Sequence, residues 1–119
     1  MPQAKAVMSV RKINATTSII DIQGEVNAFA EQVLMDAYAG ASSPGTRVII
    51  LNFSGLEYMN SSGIGLLVTL LIRVNRQKQR LLSYGLSEHY RHIFELTRLN
   101  DVINSYNSED EVLAAARSL

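Results

Sequence analysis

The sequence predicts an α/β fold, a mixed sheet of about five strands with about four helices packed against it. The apolar, β-branched run Val48 to Phe53 is typical of a strand buried on both faces. After it, apolar residues recur at helical spacing along one broad face: Ile64, Leu66, Leu67, Leu70, Leu71 and Val74. A second apolar run, Arg80 to Tyr84, completes a strand-helix-strand unit, which is right-handed in nearly all proteins.

The elements before this unit follow from turn and capping signals. Two short strands, Val7 to Ile13 and Ser18 to Gln23, flank a turn-forming cluster and predict a hairpin. Gly24 to Asn27 is expected to be a loop that ends in an N-cap, Asn27, for a helix from Ala28 to about Ala39. We expect the core face of this helix to comprise Phe29, Val33, Leu34, Ala37 and Tyr38.

The central strand is expected to end at Ser54-Gly55, and three elements follow the central unit. Ser87 is predicted to cap a helix running to about Thr97, and Val102 to Tyr106 is a last short strand. Ser108, with Glu111 three residues later, predicts the start of a final helix. The expected inward residues of the first of these helices are Tyr90, Ile93, Phe94 and Leu96, and the second contains Val112, Leu113 and Ala116.

Length and composition indicate one globular domain, residues 1–119. Of these residues 47% are hydrophobic and 18% charged, which is ordinary for a folded protein. Eleven basic and eleven acidic residues balance to zero. We therefore expect no overall field that recruits nucleic acid or an anionic membrane.

Several classes of site and location are disfavoured by what the sequence lacks. It contains no cysteine, which excludes disulfides, thiolate metal sites and cysteine nucleophiles. The segment Met1 to Val7 has no apolar signal-peptide core, and the longest apolar run, Ile64 to Ile72, is too short to span a membrane. A cytoplasmic location is expected.

The turn between the central strand and its helix reads Asn60-Ser61-Ser62-Gly63-Ile64-Gly65. Asn60, Ser61 and Ser62 are all good N-cap residues, while the two glycines keep the first turn free of bulk. The first turn of a helix has unpaired N–H groups and the positive end of the helix dipole. A phosphate on one serine would therefore be stabilised there, although the serines could equally serve only as a cap.

The run Asn52 to Leu67 resembles the signature of the STAS family, whose bacterial members are anti-sigma-factor antagonists. The family pattern is aspartate, Ser, Ser or Thr, Gly, an aliphatic residue and Gly. The resemblance implies that Ser62 is phosphorylated by an anti-sigma serine kinase and that Ser61 provides the cap. Asn60 stands where the family usually has aspartate.

A second stretch, Gly24-Glu25-Val26-Asn27, is similar to the family element Gly-Glu-aliphatic-Asp, whose loop lies beside the phosphorylated serine. The resemblance implies a partner-binding surface of Glu25, Asn27, Ser62 and Ile64. Asparagine again replaces aspartate. The loss of charge at both positions should ease phosphorylation or weaken recognition by the kinase, and sequence alone leaves both outcomes open.

The resemblance implies a regulator of transcription that signals by protein binding, with no catalysis and no cofactor. Unphosphorylated, it would bind an anti-sigma factor that is also a serine kinase and release a sigma factor. Phosphate on Ser62 would expel the partner, and a serine phosphatase would reset the switch. The alternatives are a non-switching scaffold that self-associates, or nucleotide binding in the same pocket.

Other candidate sites are weaker. Asn60 stands where the hydrolase nucleophile elbow Gly-x-Ser-x-Gly has its first glycine, and no Lys-Ser or Lys-Thr follows the glycines of the turn as in a phosphate-binding P-loop. His89 and His92 share a helix face but lack further ligands, so we expect no metal site. The basic cluster Arg73, Arg76, Lys78 and Arg80 is expected to oppose the negative end of the helix dipole.

Overall fold

The computed structural model describes residues 5–119 as one five-stranded sheet with helices on both faces. The strands are β1 (Lys5–Lys12), β2 (Thr17–Val26), β3 (Val48–Met59), β4 (Arg80–Tyr84) and β5 (Asn104–Tyr106). The helices are α1 (Glu31–Ala41), α2 (Ser61–Arg76), α3 (Glu88–Leu96) and α4 (Glu109–Arg117), with 3-10 turns at Ala28–Ala30 and Leu99–Asp101. The predicted element order is confirmed.

The sheet has strand order β1-β2-β3-β4-β5. β1 and β2 pair antiparallel as the expected hairpin, and the other neighbours pair parallel. Each parallel connection passes through one helix, first α1, then α2 and then α3. The fold is therefore the mixed α/β sheet that the sequence predicts.

Two hydrophobic cores lie on opposite faces of the sheet. The larger core packs α1, α2 and α3 against residues such as Ile49 and Leu51, and the smaller core packs α4 against Val48 and Ile50. Alternate residues of β3 thus enter alternate cores. This explains why the run Val48 to Phe53 is apolar almost throughout.

Two predicted strand ends are wrong, and so is one predicted start, because the last strand begins at Asn104 and Val102 instead caps the preceding 3-10 turn. β2 continues through Val26, so most of the expected loop Gly24 to Asn27 is strand. β3 passes the expected end at Ser54-Gly55 and runs to Met59, because the longer β2 offers it pairing partners. The pairing shifts register twice on the way, and local sequence patterns do not encode such irregularities.

Two side chains expected in the core are exposed. Phe29 is 56% exposed because it lies in a 3-10 turn, where the α-helical spacing used to place it does not apply. Leu96 is 70% exposed because α3 buries Tyr90 and Phe94, and a residue two positions after Phe94 lies about 200° further around the helix.

The segment Met1 to Ala4 lies outside the described residues, so the expectation for the N-terminal segment is tested only from Lys5 onward. Within residues 5–119, the helices are all too short or too polar to cross a membrane.

A polar network covers the sheet beside the smaller core. The Arg11 guanidinium donates to Asp21 (Nε to Oδ2, 2.7 Å) and to Glu109 (Nη2 to Oε1, 2.8 Å). The Tyr84 hydroxyl also donates to Glu109, at 2.7 Å. These bonds connect β1, β2, β4 and the first turn of α4, and the Arg11 guanidinium holds the pKa of both carboxyl groups below the usual range. Burial and Glu109 raise the pKa of Tyr84 to about 12.

The network should make stability fall in acid. A carboxylate whose folded pKa is depressed stabilises the fold above its unfolded pKa of about 4, and this contribution is lost as the pH falls through the folded pKa. We expect Arg11→Met to cost about 1 kcal/mol at pH 7 and to flatten the decline of Tm between pH 6 and pH 3. Thermal unfolding followed by circular dichroism measures both.

The matched control is Arg98→Met, which removes an arginine from the exposed pair with Asp101. It should change stability by less than about 0.5 kcal/mol. If Tm declined as steeply in acid in Arg11→Met as in the parent, the pKa values of Asp21 and Glu109 would not depend on this arginine.

Candidate functional site

The candidate site lies where β3 ends and α2 begins. Asn60 is the N-cap, since its backbone is extended and its Oδ1 accepts a hydrogen bond from Gly63 N at 2.9 Å. The prediction that Ser61 provides the cap is therefore wrong. Ser61 is already the first helical residue. The N-cap is the residue before it, whose side chain accepts from the third N–H of the helix.

Ser62 is the second residue of α2, and its side chain is exposed. The first N–H groups of a helix have no partner within the helix, and the dipole of the 16-residue α2 adds positive potential at this end. Among residues 54–66 the only charged side chain is that of Glu57. An anion attached to the Ser62 hydroxyl would therefore lie next to unpaired donors.

Gly63 holds the first turn of α2 against the end of β2. A Cβ atom at this position would lie 2.4 Å from Val26 O and 2.7 Å from Met59 Cγ, so only glycine fits. Asn60 N also donates to Val26 O, at 3.3 Å. Both contacts bring the last residue of β2 next to the start of α2.

Glu25 and Asn27 flank Val26 and therefore lie at the same edge of the sheet. Asn27 Oδ1 accepts from Phe29 N at 2.9 Å, which confirms Asn27 as an N-cap, although of a 3-10 turn. Glu25 is half-buried and pairs with Tyr58 of β3. The structure thus brings together the two stretches, 24–27 and 60–65, that the sequence singled out.

A buried tyrosine that sequence reasoning assigned only to the core also fixes this turn. The Tyr90 hydroxyl accepts from Met59 N at 2.7 Å, one residue before the cap. Tyr90 comes from α3, so the bond ties the end of β3 to another helix. A long-range hydrogen bond of this kind leaves no signal in the sequence.

Three exposed apolar side chains, Phe29, Val68 and Ile72, form what we call the apolar strip. The sequence pattern did not identify them as a group. Val68 and Ile72 are 41% and 48% exposed on α2, and Phe29 lies in the 3-10 turn that contacts α2. Ile64 is half-buried and packs on the larger core, as expected. The signal was available, since α2 has apolar residues outside its core stripe and so exceeds what one buried face requires.

The two histidines lie outside this site. His89 and His92 are exposed on α3, and His92 Nδ1 lies 3.9 Å from Glu95. No group of three or more potential metal ligands occurs among residues 5–119. Two members of the basic cluster, Arg73 and Arg76, lie in the last turn of α2 as predicted, at the opposite end of the helix from Ser62, whereas Lys78 lies beyond the helix and Arg80 begins β4.

The described residues form a small mixed α/β sheet in which α2 begins with an exposed serine after an asparagine cap. The model of the STAS domain matches residues 8–112, which is most of the chain. The protein therefore belongs to the STAS domain family.

Known proteins are similar along most of the chain. An anti-sigma-B factor antagonist of Staphylococcus aureus is 29% identical over 85 residues, 71% of this chain and 79% of that protein. An anti-sigma factor antagonist from Mycobacterium paratuberculosis has the same fold, with a TM-score of 0.80 and 18% identity over 98% of this chain and 99% of that one. The Bacillus cell fate determinant SpoIIAA in its phosphorylated form has a TM-score of 0.68 and 22% identity over 92% of this chain and 99% of that one.

Replacement of two glycines of α2 by alanine should change the stability of the protein in opposite directions. Gly63→Ala places a methyl group against backbone and should cost at least about 2 kcal/mol, because α2 must move away from β2. Gly65→Ala has nothing within 4 Å and should stabilise the protein by about 0.5–1 kcal/mol, because alanine is the better helix former. Urea unfolding of both variants tests the pair; equal effects would contradict the close approach at Gly63.

Proposed function

We propose that this protein is a cytoplasmic, single-domain anti-sigma-factor antagonist that is switched by phosphorylation of Ser62. The observation that supports this most is the exposed Ser62 hydroxyl in the first turn of α2, where a neighbouring residue, Asn60, already provides the cap. Ser62 is not needed to cap the start of the helix, so its hydroxyl is available to a kinase. The protein itself has no catalytic role in this proposal.

Unphosphorylated, the protein binds an anti-sigma factor with serine kinase activity and so frees a sigma factor. The contact surface comprises Glu25, Asn27, Ser62 and Ile64, extended by the apolar strip Phe29, Val68 and Ile72. Exposed aromatic and aliphatic side chains beside polar ones are typical of interface centres. Ser62 lies within this surface, so the kinase reaches its substrate by binding it.

Phosphorylation adds about −1.5 to −2 charges to Ser62. The N–H groups and dipole at the start of α2 stabilise that charge, so the domain remains folded. The partner, by contrast, would have to bury the phosphate beside an apolar strip and a carboxylate, Glu25, which is unfavourable. The complex therefore dissociates, and a serine phosphatase restores binding.

The relatives support this proposal. The Staphylococcus aureus protein is an anti-sigma-B factor antagonist, and SpoIIAA has been solved in a phosphorylated form. Asn60 and Asn27 supply their capping oxygens without negative charge. We therefore favour the view that the two asparagines ease phosphorylation rather than prevent it, since a carboxylate cap would repel the phosphate.

The first test is phosphate transfer. The protein is incubated with ATP and the anti-sigma kinases of its own genome, and the modified peptide is mapped by mass spectrometry. We expect one phosphate, on Ser62, absent from Ser62→Ala and retained in Ser61→Ala, because Ser61 contributes no cap.

Each other outcome assigns a different role. Binding of a kinase without phosphate would indicate a constitutive antagonist. Neither binding nor phosphate, with self-association in solution, would indicate the non-switching scaffold. Phosphate on Ser61 instead of Ser62 would contradict the assignment of the site.

The second test concerns the apolar strip. Val68→Asp and Ile72→Asp should each weaken binding of the unphosphorylated protein to the kinase by roughly tenfold or more, because a charge is buried in the contact. Their stability should stay within about 0.5 kcal/mol of the parent, since both positions are exposed. Leu96→Asp is the matched control, an exposed leucine on α3 that should leave binding unchanged.

A further inference from the structure

Zero net charge conceals a strong separation of charge. Four segments meet at the amino ends of the parallel strands, namely 12–17, 42–48, 73–80 and 114–119, and they contain no acidic side chain. They contain seven of the eleven basic residues: Lys12, Arg47, Arg73, Arg76, Lys78, Arg80 and Arg117. We call this the basic end.

Backbone bonds hold the centre of the basic end together. Arg47 N donates to Thr16 O and Arg80 N donates to Arg47 O, each at 2.8 Å, so the starts of β2, β3 and β4 lie side by side. The connection from α3 to β5 also passes near this end, but there Arg98 is paired with Asp101. The unbalanced cations therefore belong to the four segments.

The helix dipoles explain only part of this charge. Arg73, Arg76 and Arg117 lie in the last turns of α2 and α4, where cations are favourable. Arg47 and Lys78 lie outside the helices and Arg80 begins a strand. Within residues 5–119, the side chains of these three residues make no hydrogen bond or ion pair with another residue.

Two concave cavities with cationic walls are lined by residues at and beside the turn that connects α2 to β4, one on each face of the sheet. One, of about 170 Å³, is lined by Arg47, Lys78 and Arg80 over an apolar floor. The other, of about 230 Å³, is lined by Arg73 and Arg76. With roughly 30 Å³ per water molecule, each has room for five or more waters and hence for a phosphate group.

Lys78 has a backbone conformation that favours glycine. Its φ is 59°, and the bonds from Lys78 N to Asn75 O and from Gln79 N to Val74 O form a Schellman motif, in which this position is usually glycine. A lysine is strained here. Strained residues are common at ligand-binding sites, and the Lys78 side chain lines the smaller cavity.

We propose that the basic end binds a soluble oligophosphate, with a phosphate group in the cavity of Arg47, Lys78 and Arg80. Arg47, Lys78 and Arg80 hold this group as charge-assisted donors to phosphate oxygens, and Arg73 and Arg76 add positive potential at the same end of the sheet. Concave walls suit a compact anion better than they suit a flat membrane. This site is at the opposite end of α2 from Ser62 and does not depend on the proposed switch.

The probe is inorganic tripolyphosphate, titrated into the full chain at about 20 mM salt by calorimetry and by NMR. We expect saturable 1:1 binding that weakens several-fold at 200 mM salt, with amide shifts at residues 47 and 76–80 and none at 60–63. Arg47→Gln combined with Arg80→Gln should weaken binding at least about tenfold.

Lys78→Gly and Arg98→Gly form a matched pair. Each removes one cation from a position whose backbone has a left-handed conformation. Lys78→Gly should weaken binding about threefold or more while leaving Tm equal or higher, so loss of folding cannot explain the effect. Arg98→Gly should leave binding within twofold.

Four results would overturn the proposal. The first is no saturable binding at 1 mM tripolyphosphate, and the second is an equal loss in Lys78→Gly and Arg98→Gly, which would indicate non-specific attraction. The third is a set of shifts confined to residues 60–63, which would place the anion at the start of α2. Binding to anionic vesicles or single-stranded RNA without binding to tripolyphosphate would likewise replace the oligophosphate by that partner.

Discussion

The contact between Gly63 and Val26 O is the constraint on which the candidate site depends. Because the first turn of α2 touches the end of β2 without any side chain between them, residues 24–27 and 60–65 share one edge of the sheet. A larger residue would separate them by the width of a methyl group. Exposure of Ser62, capping by Asn60 and the position of Asn27 all follow from this approach.

The length of β3 makes that approach possible. Had β3 ended at Ser54, the chain would have entered α2 near the middle of β2. Two shifts of register let β3 stay paired until Met59, and the Tyr90 hydroxyl then fixes the backbone at Met59. Burial holds only the first half of β3, Val48 to Phe53, whereas the second half is mostly exposed and is held by its pairing with β2 and by the Tyr90 hydroxyl.

Local signals predicted most of the fold, and tertiary contacts account for the errors. Asn27, Ser87 and Ser108 cap helices or turns as expected, because a cap is decided by a few neighbouring residues. Three adjacent residues could have capped α2, and the choice of Asn60 over Ser61 depends on where Gly63 meets β2. Composition likewise gave a net charge of zero, but only topology shows that the cations gather at one end.

The two asparagines separate the structural role of their positions from the electrostatic one. A cap requires an acceptor oxygen, and Asn60 and Asn27 each supply one at 2.9 Å. The unphosphorylated fold is therefore nearly indifferent to whether that oxygen belongs to an amide or a carboxylate. A phosphate on Ser62 would not be indifferent, because a carboxylate at position 60, two residues before it, would repel it, whereas an amide does not. Charge at these positions should therefore set the free energy of the modified state and leave the fold unchanged.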